Sequence, residues 1–315
     1  MLFLFDFSYK AVTTKSDSNV ISFMGIIASE LFIFSQENQN LKIQQNCYLI
    51  IDGKQSSTKN TTPNGIRKCS SFLTRMDFNN EDGELNMPML KYFGHASFKF
   101  YSQKISVVFD PGILNDEPLV PESETTNIIC VSHAHRDHLG NTAQLSKKQK
   151  AFVLGNEYTI ETALKEGTPQ WLVRKLKSGE HFERPNVKVT AVDLKHGPSV
   201  EPVNIPNLCF IVEIEGVRVA HLGDAMTKGF LEQYPIDVLL IGVDETEAFT
   251  SSHSLSAIAD IKPHLAIPMH VRTEDEIDYF FTHAETVAPD TKFKKLNPGE
   301  EIRVEWLAGT EFRVS

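Results

Sequence analysis

Three histidines and one aspartate fall within six residues, at His133-Ala134-His135-Arg136-Asp137-His138. No other stretch restricts the fold so strongly, because imidazole and carboxylate side chains gathered this closely suit a borderline or hard divalent metal ion. An apolar run over 128–131 leads in, and Gly140-Asn141 follows. The pattern predicts a buried strand over 127–132 that ends in a turn, where a rigid scaffold presents chemistry. A helical reading is poorer. Residues i and i+2 of a helix face apart, whereas on an extended or turning backbone His133 and His135 share a side.

Further ligand-type residues stand in the same position, just past an apolar strand: His196, Asp224, His270 and, less clearly, His253. Repeated delivery of such residues at strand ends requires one sheet edge where they converge. One catalytic zinc needs three protein ligands plus water. His133, His135, Asp137, His138, His196, Asp224 and His270 exceed that number and suit two ions sharing one carboxylate.

Histidine placement also divides the chain. All eleven histidines lie after residue 94. Residues 1–88 carry nine acids and eight bases, which leaves 32 acids and 23 bases for 89–315, a net charge of −9. A groove for a polyanion needs a basic surface, so nucleic acid is not the expected substrate. The Ser/Thr/Asn-rich stretch 54–84 is expected to be weakly ordered or disordered. Residues 1–88 are accordingly read as an N-terminal extension, with Met87 or Met89 a candidate for the natural start. The four cysteines show no paired spacing, and Cys130 and Cys209 sit in apolar runs, as buried free thiols of a reducing compartment do. The apolar stretch 20–34 is too short to span a bilayer and contains Glu30. No basic leader or cleavage site is evident, so a cytoplasmic location without membrane attachment is expected.

From Met89 the pattern becomes dense. Strands are predicted at 90–93, 97–101, 105–110, 151–154, 187–194, 207–214, 217–222, 236–241, 265–269, and near 301–305 and 310–314. Residues 113–126 read as a loop. Helices are predicted at 142–150, at 156–165 opening on Asn156, at 252–261 with a serine cap, and at 273–283 with acids in its first turn. Two runs of strands separated by helices suggest two packed sheets with helices outside, not one sheet of regular βαβ units.

The ordered motifs resemble those of the metallo-β-lactamase superfamily. They are HxHxDH at 133–138, the lone His196, Gly223-Asp224 and the final His270. Gly94-His95-Ala96-Ser97-Phe98, Phe109-Asp110-Pro111-Gly112, His221-Leu222-Gly223-Asp224 and Ile267-Pro268-Met269-His270 are similar to its branch of small metal-dependent hydrolases, which is related to L-ascorbate-6-phosphate lactonase. The resemblance covers about 89–315. It implies an α+β fold, an αββα four-layer sandwich of two mixed β-sheets with helices on the outer faces. It assigns His133, His135 and His196 to one ion, Asp137, His138 and His270 to a second, and Asp224 as the bridge. The cofactors implied are two divalent ions, zinc first, with manganese or iron as substitutes. Asp137 and Asp224 would be the catalytic carboxylates, and a hydroxide between the ions would be the nucleophile on a small ester, lactone or phosphoester.

The outer residues carry weaker expectations. Asp110 is expected to accept a hydrogen bond from a ligand imidazole. His95 and His253 are candidates for contacts near the ions or the substrate. His221 is expected in the core, and His181, His264 and His283 on the surface. Glu245 and Glu247, with Glu274, Asp275, Glu276 and Asp278, are expected to be solvated or to start a helix. A nucleic-acid phosphodiesterase of the same fold and an iron-dependent dioxygenase-like member are the competing readings. The acidic domain opposes the first, and the presence of all second-site ligands opposes the second. The absence of a secretion signal opposes a true β-lactamase, and the complete ligand set opposes a non-catalytic scaffold. A small-molecule substrate is the expected partner, with self-association into a homo-oligomer compatible with the chain.

Overall fold

The computed structural model describes residues 87–197, 205–307 and 311–315, together with the backbone of five strands between residues 21 and 57. The chain divides into two units, Met1–Met76 and Asp77–Ser315. In the first unit, Ile21–Ile27, Glu30–Glu37 and Asn40–Gln44 form an antiparallel sheet, and Tyr48–Ile51 pairs with Lys54–Ser57. A strand thus stands where the Ser/Thr/Asn-rich stretch begins; residues 58–84 of that stretch lie outside the described residues.

The second unit holds two mixed sheets. The strands of the first are β1 (Met89–Gly94), β2 (Ser97–Tyr101), β3 (Ser106–Phe109), β6 (Ile128–Cys130), β7 (Phe152–Gly155), β8 (Val173–Lys175), β16 (Glu301–Leu307) and β17 (Glu311–Val314), in the spatial order β8-β7-β6-β3-β2-β1-β16-β17. Between β3 and β6 runs a small hairpin, β4 (Ile113–Leu114) with β5 (Glu117–Pro118), inside the segment expected to be a plain loop. The second sheet runs in chain order: β9 (His181–Arg184), β10 (Val187–Leu194), β11 (Asn207–Ile214), β12 (Val217–His221), β13 (Val238–Gly242), β14 (Leu265–Met269) and β15 (Lys292–Phe293). β11 and β12 meet at Glu215-Gly216, both at positive φ, as a tight hairpin turn demands.

The helices are α1 (Arg136–Leu139), α2 (Thr142–Gln149), α3 (Glu157–Lys165), α4 (Ser251–Ile261) and α5 (Glu274–Val287). Asn156 caps α3 as expected, its side chain accepting from Thr159 N. Thr250, not a serine, caps α4. Thr273 and Glu276 close α5 with a reciprocal capping box, which explains why Glu276 is buried and not solvated.

Side-chain alternation makes the layers. Ile128 and Cys130 of β6 face the core between the sheets, where Phe98, Phe109, Phe210 and Leu240 meet. Ile129 and Val131 face the other way, onto Leu145 of α2 and Ile160 of α3. On the second sheet, Leu239 and Ile241 turn toward Leu255 and Ile258 of α4 and Phe280 of α5. Strands covered on both faces are apolar at every position, which explains the unbroken runs at 128–131 and 238–241. The result is the four-layer αββα sandwich, and the described residues include no helix long and apolar enough to cross a membrane.

Strand direction places the site. β6 runs parallel to β3 and β7, and β12, β13 and β14 run parallel to one another. β10 joins that direction through two antiparallel steps. The carboxyl ends of β3, β6, β10, β12, β13 and β14 therefore open at one edge of the sandwich, the edge at which α/β sheets present ligand sites. Asp110, His133, His196, Asp224, Asp244 and His270 follow those ends.

Candidate metal centre

The cluster begins on extended backbone and ends on a helical turn. His135 is the N-cap of α1, so Asp137 and His138 stand on one turn of helix. The expected non-helical conformation thus ends at His135. The change of backbone separates the pairs: His133 and His135 join His196 and Asp224, while Asp137 and His138 join His270 and His95. Within each group the candidate ligand atoms lie within 4.8 Å of one another. The tight approach of α1 depends on Gly112, where a Cβ would stand 1.7 Å from the carbonyl oxygen of Asp137. Arg136 points outward and pairs with Asp116 at 2.8 Å.

Asp224 lies between the groups. Its Oδ2 is 3.7 Å from His133 Nε2, 3.8 Å from His196 Nε2 and 3.3 Å from His270 Nε2. Its Oδ1 is 3.2 Å from His138 Nε2. His133 Nε2 and His135 Nδ1 stand 3.0 Å apart. Two ligands about 2.1 Å from a tetrahedral ion would lie roughly 3.4 Å apart, so these spacings fit coordination.

The hydrogen bonds around the centre fix which imidazole nitrogen faces inward. His196 Nδ1 must carry a hydrogen, because it lies 2.8 Å from the carbonyl oxygen of Gly197. Ser132 Oγ is 2.6 Å from Asp110 Oδ2 and 3.0 Å from His133 Nδ1, so it donates to the carboxylate and accepts from the ring. Asp110 also faces His138 Nδ1 at 2.7 Å, and Asp244 faces His270 Nδ1 at 2.9 Å. The outward nitrogens of His133, His138 and His196 are thereby occupied, whereas His270 Nδ1 lies close to Asp244 without a hydrogen bond. By contrast, the Nε2 atoms of His138, His196 and His270 and both oxygens of Asp224 are buried without a hydrogen-bond partner among the described residues. Buried polar atoms left unpaired cost about 1–3 kcal/mol each, and a divalent ion would satisfy several at once. This donor set fits a metal centre.

Backbone strain collects here as well. His95, Asp110 and His270 all have positive φ, at 52°, 42° and 53°. Such geometry costs about 1–2 kcal/mol per residue and persists where surrounding structure enforces it. The carbonyl oxygen of His95 accepts from His270 N at 3.0 Å and from the Tyr92 hydroxyl at 3.1 Å, which holds two of the three.

Electrostatics follow from burial and proximity. Burial drives the His133 imidazole well below its ordinary pKa, and the nearby histidines add to the effect. For His138, burial acts in the same direction, but the carboxylates of Asp224, Asp110 and Asp137 outweigh it and the pKa is pushed up to about 10. Burial resists ionisation of Asp224 too, yet His138, His270 and His133 hold it well below the usual carboxylate range. The carboxylates are charged and ready to offset a cation.

The structure thus brings together the seven residues singled out as ligands and places Asp110 against His138. His95 joins the Asp137 group directly, with Nε2 3.0 Å from Asp137 Oδ2. His253 stays exposed on the first turn of α4, outside both groups. His221 is a buried core residue, bonded to Ala96 O at 2.8 Å and stacked on Phe109. His181, His264 and His283 are exposed. Two residues were missed. Asp244 follows an apolar strand just as Asp110 and Asp224 do, and that position was its signal. Glu247, expected to be solvated, is half-buried, pairs with Arg272, and lies within 4.8 Å of donor atoms of Asp224 and His270. Its place depends on how the loop folds, which periodicity does not encode.

An αββα sandwich with histidines and aspartates at the carboxyl edge defines a protein of the metallo-β-lactamase fold. The chain belongs to the beta-lactamase superfamily, whose domain model matches residues 89–270. It is similar to a UPF0173 metal-dependent hydrolase of Thermococcus onnurineus, 27% identical over 218 residues that make up 67% of this chain and 92% of the relative. Among solved structures, the metallo hydrolase Igni18 of Ignicoccus hospitalis superposes with a TM-score of 0.59 at 20% identity, covering 70% of this chain and all of that one. The metallo-beta-lactamase fold protein YhfI of Bacillus subtilis does so with a TM-score of 0.57 at 14% identity, covering 69% of this chain and 99% of that one.

Proposed function

We propose that this protein is a binuclear metal-dependent hydrolase acting on a small ester, lactone or phosphoester. The observation that carries the reading is the pair of donor groups, with inward nitrogens and carboxylate oxygens that lack protein partners. His133, His135 and His196 would hold one ion, Asp137, His138 and His270 the other, and Asp224 would serve both. Zinc is the first candidate, with manganese or iron as alternatives. Bound divalent ions supply Lewis acidity and lower the pKa of water toward about 7.

The chain's own residues do the rest. Asp224 reaches toward both groups, and its negative charge would offset that of bound cations. Asp110 holds His138 in the tautomer that leaves Nε2 free, and the Asp244 carboxylate stands beside His270 Nδ1. Asp137 is 28% exposed, so it stands at the solvent side where a substrate enters. From there its carboxylate can accept a proton from an attacking water or orient that water. The acidic charge of the domain favours small substrates over nucleic acid.

The test is a panel of phosphodiesters, phosphomonoesters, lactones and simple esters, assayed with zinc, manganese and iron. Turnover by the wild type and its loss in Asp224→Ala, with the fold retained, are expected. Turnover unchanged in Asp224→Ala would place the chemistry elsewhere.

A further inference from the structure

The turn after β13 carries an acid that the seven-donor arrangement leaves unused. Asp244 Oδ1 accepts from Thr246 N at 2.7 Å, from Thr246 Oγ1 at 2.7 Å and from Glu247 N at 3.2 Å. These bonds fold the chain back over the centre, so that the Glu247 backbone lies against Gly197, beside the ligand candidate His196. A Cβ at Gly197 would stand 2.0 Å from the Glu247 carbonyl oxygen, so a residue without a side chain is needed there. The Glu247 carboxylate pairs with the Arg272 guanidinium, which is itself held by Asp244 Oδ2 at 2.7 Å. Asp244 thus anchors His270, Arg272 and the Glu247 turn together.

A Glu247 oxygen, an Asp224 oxygen and a His270 nitrogen form a third group of mutually close donor atoms. Asp224 and His270 are 1% and 0% exposed, and both Asp224 oxygens and His270 Nε2 lack hydrogen-bond partners. A carboxylate brought this close to a buried carboxylate is repelled by it, and a cation bound by both would offset that repulsion. Arg272 is near enough to balance one oxygen of Glu247, but it does not serve the unpaired oxygens of Asp224.

We propose that Glu247 is a further carboxylate donor to the ion held on the Asp224–His270 side of the centre. This rests on the metal-dependent reading above. A carboxylate has two oxygens, so one stays on Arg272 while the other meets the ion. That side then offers Asp137, Asp224 and Glu247 with imidazoles of His138 and His270. It is a harder donor set than His133, His135 and His196, and it favours manganese or iron(II) relative to the three-imidazole side.

The experiment titrates metal-free, full-length wild type, Glu247→Gln and Glu247→Asp with manganese(II) and with zinc(II) by calorimetry. Thermal unfolding of the metal-free proteins is recorded alongside. Glutamine keeps the shape but removes the charge; aspartate keeps the charge but withdraws it by one methylene. Both variants are expected to unfold metal-free at the wild-type temperature and to bind manganese at least about 10-fold more weakly, the scale on which residues around a metal site affect affinity. The tighter zinc event is expected to stay at wild-type affinity. Wild-type manganese affinity in whichever variant is folded would overturn the proposal while leaving the two-ion reading standing. A wild type that binds no ion would overturn both.

Discussion

Asp110 Oδ2 lies 2.7 Å from His138 Nδ1, with neither side chain accessible to solvent. Through Ser132, which donates to the same oxygen and accepts from His133, one carboxylate orients a histidine of each donor group. Its other oxygen accepts from Ser132 N at 2.7 Å. All three partners are donors, so an amide nitrogen in this position would face a hydrogen that it cannot accept. Asp110→Asn is therefore expected to weaken metal binding by about 10- to 100-fold. Calorimetric titration with zinc checks it. Unchanged affinity would show that Asp110 serves only the turn it sits in.

Asp244 holds the second sheet's contribution in the same way. Asp244→Ala removes the partner of His270 and the staple of the Glu247 turn at once. The expected result is a loss of affinity at the His270 side alone, with the His133, His135 and His196 side retained. Cobalt(II) substitution followed by absorption spectroscopy separates the sites, since loss of one of two bound ions would leave half the wild-type stoichiometry. Equal weakening of both would mean that Asp244 supports the whole edge.

The centre is assembled from both sheets, so their packing matters to it. Leu240 is fully buried between them. Leu240→Ala is expected to cost about 2–5 kcal/mol in urea unfolding of the metal-free protein, through lost burial and the cavity left behind. A cost below about 1 kcal/mol would contradict the placement of Leu240 in the inter-sheet core.

Glu124 supplies a pH signature away from the centre. Burial resists its ionisation, but Lys99 at 2.6 Å and Lys91 at 3.1 Å outweigh that and hold the carboxyl below its ordinary range. A folded pKa below the unfolded one contributes stability above the unfolded value of about 4.3. That contribution is lost as pH falls through the folded value. Glu124→Gln is thus expected to be about 1–2 kcal/mol less stable at pH 7, with the gap closing as pH falls below about 4. A gap constant with pH would show that the charge plays no part.

The arrangement of donors was legible because strand ends announce themselves. An apolar run that stops at a histidine or aspartate places that residue at a sheet edge, and His133, Asp110, Asp224 and His270 all carry that mark. Asp244 carries it too, but the predicted strand 236–241 stops short of it. The helical turn of α1 was not legible, since four residues are too few to show a period. The sequence leaves the cap of α4 ambiguous because Thr250, Ser251 and Ser252 are all competent cap residues and only tertiary packing chooses among them. The sequence predicts a solvated Glu247 because its position depends on an aspartate-centred turn and a distant arginine, and no local pattern reports either.

The central claim is that two ions share this edge. Metal analysis by inductively coupled plasma mass spectrometry, on protein expressed in metal-replete medium and freed of loosely bound ions, tests it most directly. Close to two divalent ions per chain are expected, falling in Asp224→Ala. A wild-type stoichiometry near zero would contradict the account.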